Sequence, residues 1–185
     1  MTLPTRRVFV TGASGAGSTT LARALAVKWS SAAHDTDDYF WLPSNPPYAE
    51  KRAPDARIRL MQDLFVPRSE WVLSGSLMDW GAEIVPFIDL IVFLRLDADL
   101  RMSRLREREL LRFGRAALAP GGAMHEEHKA FMAWAAGYDD PDFGGRNLAR
   151  HREWLLQTQR PVMELDGAAS TETLVAAVDR ELKSR

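Results

Sequence analysis

Short apolar runs recur along the chain, and each has the length of a buried strand. Residues 8–10, 71–73 and 90–94 are apolar at consecutive positions, which is typical of parallel strands covered on both faces. Two weaker segments, residues 33–35 and 162–165, have strand-like composition, and the second is bounded by Pro161 and by Asp166-Gly167. The pattern therefore predicts five strands.

Helical patterns occupy the stretches between these runs, and several begin with a residue that caps helices well. The predicted helices span residues 18–30, 54–65, 100–113, 125–136, 147–157 and 171–183. Strands that alternate with helices predict an α/β fold with a mainly parallel sheet covered on both sides. With 185 residues, 46% of them hydrophobic, the chain is expected to form one domain, residues 1–185.

A glycine-rich turn joins the first predicted strand to the first predicted helix. On the pattern G-x-x-x-x-G-K-[ST], Gly12 and Gly17 occupy the glycine positions and Thr19 the hydroxyl position, but Ser18 replaces the lysine. Backbone N–H groups and a helix start can bind phosphate without any side chain. The predicted phosphate-binding residues are Gly12, Ser14, Gly15, Ala16, Gly17, Ser18, Thr19 and Thr20. An ordinary strand-to-helix turn is the alternative.

Asp35 and Asp37 follow the second predicted strand, where this architecture delivers side chains toward the glycine-rich turn. Two residues apart in an extended segment, they are expected to point the same way and to share one cation or substrate. A carboxylate beside an acceptor hydroxyl can take its proton. The alternative is a turn and helix cap, because aspartate is common in both.

Arginines recur at helical spacing in the fourth interval between strands. The members are Arg101, Arg104, Arg108, Arg112 and Arg115. Separations of three and four residues place them on one face of the predicted helix, where like charges repel, so an anion or acidic neighbours should balance them. A solvated face paired with Glu107 and Glu109 is the alternative.

The glycine-rich turn, the Asp-x-Asp segment and the arginine-rich helix together resemble the small P-loop kinases, the group that contains adenylate, shikimate and gluconate kinases. The resemblance implies a three-layer P-loop NTPase fold with strand order 2-3-1-4-5 and a helical lid near residues 112–125. It also implies that the chain binds ATP and Mg²⁺ and transfers the γ-phosphoryl group to a small acceptor.

The same resemblance implies roles for individual residues on the acceptor side. Thr19 and Asp35 are expected to hold magnesium, and Asp37, slightly favoured over Asp35, to meet the acceptor hydroxyl. Adenylate kinases usually carry an Asp-Gly-x-Pro-Arg run at the third strand. This chain has Ser74-Gly75-Ser76-Leu77 there, so a nucleoside monophosphate acceptor is not implied.

Arginines of the lid have implied roles as well. Arg108 and Arg112 are expected to stabilise charge during transfer, and Arg115 to bind phosphate. Arg146, near the start of a later helix, is a further candidate phosphate ligand. Bidentate guanidinium contacts can replace part of what the absent lysine supplies.

Aromatic residues concentrate on the predicted acceptor side, in sequence that is rich in proline. They are Tyr39, Phe40, Trp41, Tyr48 and Trp80. They are expected to form either core or an aromatic wall for a flat or apolar acceptor.

Charge and composition limit which classes of partner fit the chain. A net charge of −1 gives no general attraction to nucleic acid or to an anionic membrane, so neither is an expected partner. The absence of cysteine excludes disulfides and cysteine-bound zinc. Residues 1–7 lead into an apolar run too short for a membrane span or a secretory signal, so a cytoplasmic location is expected.

Three functions fit the sequence. The first is an ATP-dependent kinase for a small molecule. The second is a nucleotide-binding sensor or switch that lost catalysis with the lysine. The third is a sulfotransferase-like enzyme, since sulfotransferases use a related phosphate loop without the usual lysine position, although they are generally longer.

Overall fold

A parallel sheet forms the centre of the protein in the computed structural model, which describes residues 5–45 and 47–185. Residues 1–4, part of the N-terminal segment considered above, and Pro46 lie outside that range. The strands of this described part are β1 (Arg6–Gly12), β2 (Ala33–Asp35), β3 (Glu70–Ser74), β4 (Leu90–Arg95) and β5 (Val162–Asp166). All pairs are parallel, and the order β2-β3-β1-β4-β5 confirms the predicted 2-3-1-4-5 sheet.

Helices cover the sheet, and the six predicted ones are all present with small changes at their ends. They are α1 (Ser18–Trp29), α3 (Pro54–Leu64), α4 (Ala98–Leu118), α5 (His125–Ala136), α6 (Leu148–Gln157) and α7 (Thr171–Lys183). The sequence analysis missed α2 (Thr36–Phe40), because five residues are too few to show a helical period.

Helix α4 departs most from its prediction. It begins earlier because the Asp97 carboxylate accepts hydrogen bonds from the N–H groups of Asp99 and Leu100, a typical N-cap. It also continues past the predicted end, but Gly114 has non-helical angles of φ 78° and ψ 157°. The arginine-rich helix is therefore kinked at the start of the predicted lid.

Neighbouring side chains on the strands point into two different cores, as the period of two requires. Val8 and Val72 pack with residues of α1 and α7 on one face, while Phe9 and Trp71 pack with residues of α3 and α6 on the other. No helix in the described part of the chain is both long and apolar enough to cross a membrane.

The topology brings the ends of three strands together. β3 pairs with both β1 and β2 in parallel register, so Val10 lies opposite Ser74 and Ser74 opposite Asp35. The glycine-rich turn after β1, the carboxylate at the end of β2 and the hydroxyl at the end of β3 thus share one edge of the sheet, where α/β proteins bind ligands.

Gly75 follows β3 at this edge and tests the local packing. Its φ is +115°, and a Cβ there would lie 1.9 Å from Thr36 Oγ1. We expect Gly75→Ala to lower the free energy of unfolding by about 2–4 kcal/mol, from left-handed strain and overpacking. Gly144→Ala is the matched control, because a Cβ there meets nothing within 4 Å. Urea unfolding of both variants measures the difference, and equal stability would contradict this packing.

Candidate active site

The glycine-rich turn leads into α1 and leaves the first amides of that helix available, while the Ala16 N–H donates to the Ala13 carbonyl at 3.0 Å. Gly17, with φ 99°, is the N-cap residue, and no side chain caps the helix. The first N–H groups of a helix have no partner within it, and Ser18, Thr19 and Thr20 all line a cavity. An anion bound there would satisfy these donors and meet the positive end of the helix dipole.

The cavity has a volume of about 1200 Å³, enough for two small ligands. All the predicted loop residues line it: Gly12, Ser14, Gly15, Ala16, Gly17, Ser18, Thr19 and Thr20. The other predicted site residues along it are Asp35, Asp37, Arg108, Arg112 and Arg146. The fold therefore collects nearly every candidate into one cleft.

Asp35 is held at the junction of three elements. Its Oδ2 accepts hydrogen bonds from Thr19 Oγ1 at 2.9 Å and from Ser74 Oγ at 3.0 Å. Its Oδ1 accepts from the N–H of Asp37 at 3.1 Å and so caps α2. The cap and the contact with the phosphate loop, treated above as alternatives, are both present on one carboxylate.

Asp37 lies in the first turn of α2 and not in an extended segment. The expectation that Asp35 and Asp37 share one extended stretch is wrong, because Asp35 ends β2 and the chain turns into a helix immediately after it. Both still line the cavity. The hydroxyl of Thr19 and the carboxylate of Asp35 form an oxygen-only donor pair of the kind that Mg²⁺ prefers.

The surroundings of Asp37 shift its acidity. The side chain is exposed, but that exposed surface faces the cavity and the surrounding protein still desolvates it. Desolvation, and then the charge of Asp35, raise the pKa of Asp37 to about 6, while Arg146 opposes the rise. A carboxylate with a pKa near neutrality is suited to accept a proton.

The arginines that were predicted to share one face of the helix have different partners. Arg101 is fully buried and forms an ion pair with Asp139. Arg104 Nη1 donates to the carbonyl of Gly167 at 3.1 Å, and Arg112 Nη1 donates to the Tyr48 hydroxyl at 3.1 Å. The five arginines are therefore not equivalent, although Arg104 and Arg112 both line the cavity.

Two further arginines of the set differ in position. Arg108 lines the cavity and pairs with the buried Glu109 at 3.1 Å. Arg115 lies beyond the kink at Gly114, is exposed, and is outside the set of residues that line the cavity. The expectation that all five share one face holds for Arg104, Arg108 and Arg112, which line the cavity. It is wrong for Arg115, which follows the kink, and for Arg101, which is buried.

Arg146 reaches the phosphate loop from the segment before α6. Its Nη2 lies 3.4 Å from Ser14 Oγ, and its guanidinium lies 5.4 Å from the centre of the Trp134 ring. Its charge also acts on Asp37. Arg146 thus stands between the loop and the carboxylate at the other end of the cleft.

Sequence reasoning missed the residues that support the loop from behind. Arg101 was predicted only as one of the helix-face arginines. Its Nη1 donates to the Ser14 carbonyl at 3.2 Å, and its ion pair with Asp139 holds the guanidinium in place. Within the part of the chain that the structure describes, this is a buried cation clamped to the centre of the phosphate loop. No local signal separates Arg101 from its neighbours; only its burial does.

A second unpredicted support is a chain of hydrogen bonds through His151. Tyr138 Oη lies 2.8 Å from His151 Nδ1, and His151 Nε2 lies 3.1 Å from Thr11 Oγ1. Thr11 donates in turn to the Gly75 carbonyl, so its oxygen is free to accept from a proton on Nε2. Burial, with a smaller contribution from Arg146, lowers the pKa of His151 to about 3, which keeps the ring neutral.

Four aromatic side chains form a wall of the cavity, where an acceptor was expected. Phe40, Trp41, Tyr48 and Trp80 all line it and meet edge to face, with ring centres 4.9–5.9 Å apart. Tyr39 is different: it is buried against Phe65, and its hydroxyl bonds His34. Both expectations for the aromatics, core and wall, therefore hold for different members.

One curated relative aligns over nearly the whole chain. The "Uncharacterized protein YqaC" of Bacillus subtilis (strain 168) is 34% identical over 173 residues, which cover 94% of this chain and 95% of that protein. The chain belongs to the YqaC family. No protein-family model matches the sequence.

Solved structures of small kinases share the fold of this YqaC family member. The shikimate kinase of Acinetobacter baumannii in complex with shikimate has a TM-score of 0.56 at 14% identity, covering 97% of this chain and 94% of that one. The shikimate kinase of Bacteroides thetaiotaomicron has 0.53 at 19%, covering 96% and 98%. A sugar kinase of Janibacter sp. HTCC2649 has 0.53 at 16%, covering 95% and 92%.

These likenesses confirm the predicted fold. The chain has the α/β architecture of the P-loop kinases, with its phosphate loop after β1 and its parallel sheet in the expected order. At such low identity the likeness shows the fold and leaves the activity open.

The raised pKa of Asp37 has a measurable effect on stability. An aspartate ordinarily has a pKa of 3.8, and Asp37 in the folded chain has a pKa of about 6. The folded chain therefore binds this proton more tightly than the unfolded chain, and stability falls as pH rises between these values. We expect Asp37→Asn to raise the free energy of unfolding at about pH 8 but not at about pH 4.

Urea unfolding at both pH values measures this difference. Asp63→Asn, on the exposed side of α3, is the control for the general effect of replacing a surface aspartate by asparagine. If Asp37→Asn has the same free energy of unfolding as the wild type at both pH values, the ionised Asp37 carboxylate does not destabilise the folded chain.

Proposed function

We propose that this protein transfers the γ-phosphoryl group of a nucleoside triphosphate, most simply ATP, to a hydroxyl group of a small acceptor. The observation that carries the proposal is the convergence of the uncapped start of α1, the Thr19–Asp35 hydrogen bond and Asp37 on one cavity. Each part matches one requirement of phosphoryl transfer: phosphate binding, a metal site and a proton acceptor.

The phosphate loop would hold the triphosphate. Backbone N–H groups of Gly15 and of residues 17–19 supply donors that need no lysine, since the Ala16 N–H already donates to the Ala13 carbonyl. Arg101 stabilises the loop through the Ser14 carbonyl. Thr19 and Asp35 are the oxygen ligands for Mg²⁺, which when bound would neutralise charge on the phosphates. Ser74, which also donates to Asp35, keeps that carboxylate oriented.

Asp37 would act on the acceptor. In the proposed step the acceptor oxygen forms a bond to the γ-phosphorus, the bond between that phosphorus and the β,γ-bridging oxygen breaks, and nucleoside diphosphate leaves. The proton of the acceptor hydroxyl passes to the Asp37 carboxylate, whose raised pKa suits it to receive a proton near neutral pH. Arg108 and Arg112 are the proposed lid contacts to developing charge, with Arg115 near them outside the cavity.

The aromatic wall of Phe40, Trp41, Tyr48 and Trp80 indicates an acceptor with a flat or apolar face. Such faces pack against aromatic rings, while a few polar groups set the orientation of the ligand. A nucleotide-binding switch without turnover is the second candidate, and the observation that favours it is Ser18 in place of the lysine.

Thr19 tests the nucleotide and magnesium part of the proposal. We expect wild-type protein to bind ATP with Mg²⁺, and Thr19→Ala to weaken that binding by about 10-fold or more while ATP binding in EDTA changes little. Thr19→Ser is the matched control, because it keeps the hydroxyl. Calorimetric titration measures all three proteins, and equal loss with and without Mg²⁺ would remove Thr19 from the metal site.

Asp37 tests the transfer step. With an acceptor found by screening ring-containing alcohols for ATP-dependent phosphorylation, Asp37→Asn should lower kcat by about 100- to 10,000-fold and leave ATP affinity within about 3-fold. Quenched-flow or steady-state product analysis gives kcat. Undiminished transfer by Asp37→Asn would exclude Asp37 as the base, and ATP binding without any turnover in the wild type would favour the switch.

A further inference from the structure

The phosphate loop has no cation of its own, yet several arginines line the same cavity. They are Arg23, Arg104, Arg108, Arg112 and Arg146. Lysine in the usual loop position places a mobile positive charge next to the β- and γ-phosphates. The question that the structure raises is which of the five replaces it.

Four of these arginines have other partners. Arg104 donates to the Gly167 carbonyl, Arg108 pairs with Glu109, and Arg112 donates to Tyr48. Arg23 lies near the Asp38 carboxylate and interacts with its charge. Each of the four is therefore already engaged elsewhere. Arg104 also lies near the loop, since a Cβ at Gly17 would be 3.9 Å from its Nη1, but that Nη1 donates to the Gly167 carbonyl.

Arg146 differs from all four. Its Nε is buried without a hydrogen-bond partner, which holds for none of the other four. Of those four only Arg108 has a carboxylate in ion-pair contact, and within the described residues Arg146 has none. Its Nη2 meets the hydroxyl of Ser14 at a long 3.4 Å. A desolvated cation with unsatisfied donors is costly unless an anion completes its environment.

The position of Arg146 indicates which anion this is. On one side it touches the phosphate loop at Ser14, and on the other its charge acts on Asp37, the proposed proton acceptor. The group that must lie between the loop and the acceptor base is the phosphoryl group in transfer. A guanidinium there can make two parallel hydrogen bonds to phosphate oxygens.

We infer that Arg146 supplies, from the segment before α6, the positive charge that a lysine at position 18 supplies in other phosphate loops. This inference rests on the proposed function and makes Arg146 a catalytic residue that contacts the terminal phosphates. The charge reaches the phosphates from the opposite wall of the cleft, so the loop itself binds them through its backbone alone.

The test compares Ser18→Lys in two backgrounds, the wild type and Arg146→Ala. Calorimetry with ATP, ADP and AMP in the presence of Mg²⁺ measures affinity. We expect Arg146→Ala to weaken ATP binding by about 10- to 100-fold and AMP binding by less than about 3-fold, with Arg146→Lys intermediate. Ser18→Lys should restore much of the ATP affinity to Arg146→Ala and add little to the wild type.

Arg152→Ala is the matched control, because Arg152 is an exposed arginine of α6 that pairs with Glu164 outside the cavity. It should bind all three nucleotides like the wild type. Thermal unfolding of each variant verifies folding, and Arg146→Gln replaces Arg146→Ala should the alanine variant prove unfolded.

Two results would overturn the inference while leaving the proposed function standing. One is that Arg146→Ala loses affinity for ATP and AMP by the same factor, or loses affinity for neither. The other is an equal effect of Ser18→Lys in both backgrounds, whether a gain or a loss, which would show that the two positions act independently. Failure of the wild type to bind ATP with Mg²⁺ would instead reject the proposed function, and this inference with it.

Discussion

The site depends on the hydrogen bonds of one carboxylate, that of Asp35. It accepts from Thr19 at the start of α1, from Ser74 at the end of β3 and from the N–H of Asp37 in α2. Three segments far apart in sequence are thereby held in one arrangement. The direction of α2 also follows from this cap, and α2 carries Asp37 and Phe40 into the cavity. A carboxylate oriented by several hydrogen bonds is well prepared to bind a cation without rearrangement.

Charge in the cavity is distributed to favour an anionic ligand between two walls. Arginines approach from α4 and from the segment before α6, while the acidic pair of Asp35 and Asp37 lines the same cavity. Desolvation of Asp37, and then the charge of Asp35, raise the pKa of Asp37. Arg146 has no ion-pair partner among the described residues, and its Nε has no hydrogen-bond partner. Both features lower the stability of the folded chain, as is common at sites that must bind charge later.

Two buried polar supports hold the phosphate loop from below. Arg101 ties the Ser14 carbonyl to Asp139, and the neutral His151 links Tyr138 to Thr11 at the end of β1. Buried polar groups are usually hydrogen-bonded, and the bonds that Arg101 and His151 make to Ser14 and Thr11 restrict the positions of the loop. Because the usual lysine is absent, a well-positioned backbone matters more for binding phosphate.

Local sequence patterns were sufficient to predict the strands and the loop. The family resemblance was sufficient to predict the order of the strands in the sheet. Apolar runs indicate strands that are buried on both faces, and the glycine spacing indicates a turn of the anion-binding type. Both patterns can be recognised without knowledge of distant contacts. The same local rules placed Asp37 in an extended segment, because a five-residue helix has no visible period. They also treated the arginines as equivalent, because spacing along the chain shows neither burial nor the kink at Gly114. The separate roles of Arg101, Arg108 and Arg146 were decided only by the tertiary structure. Burial and the position of a partner across the cleft determine what a guanidinium binds, and neither is encoded in its neighbours along the chain.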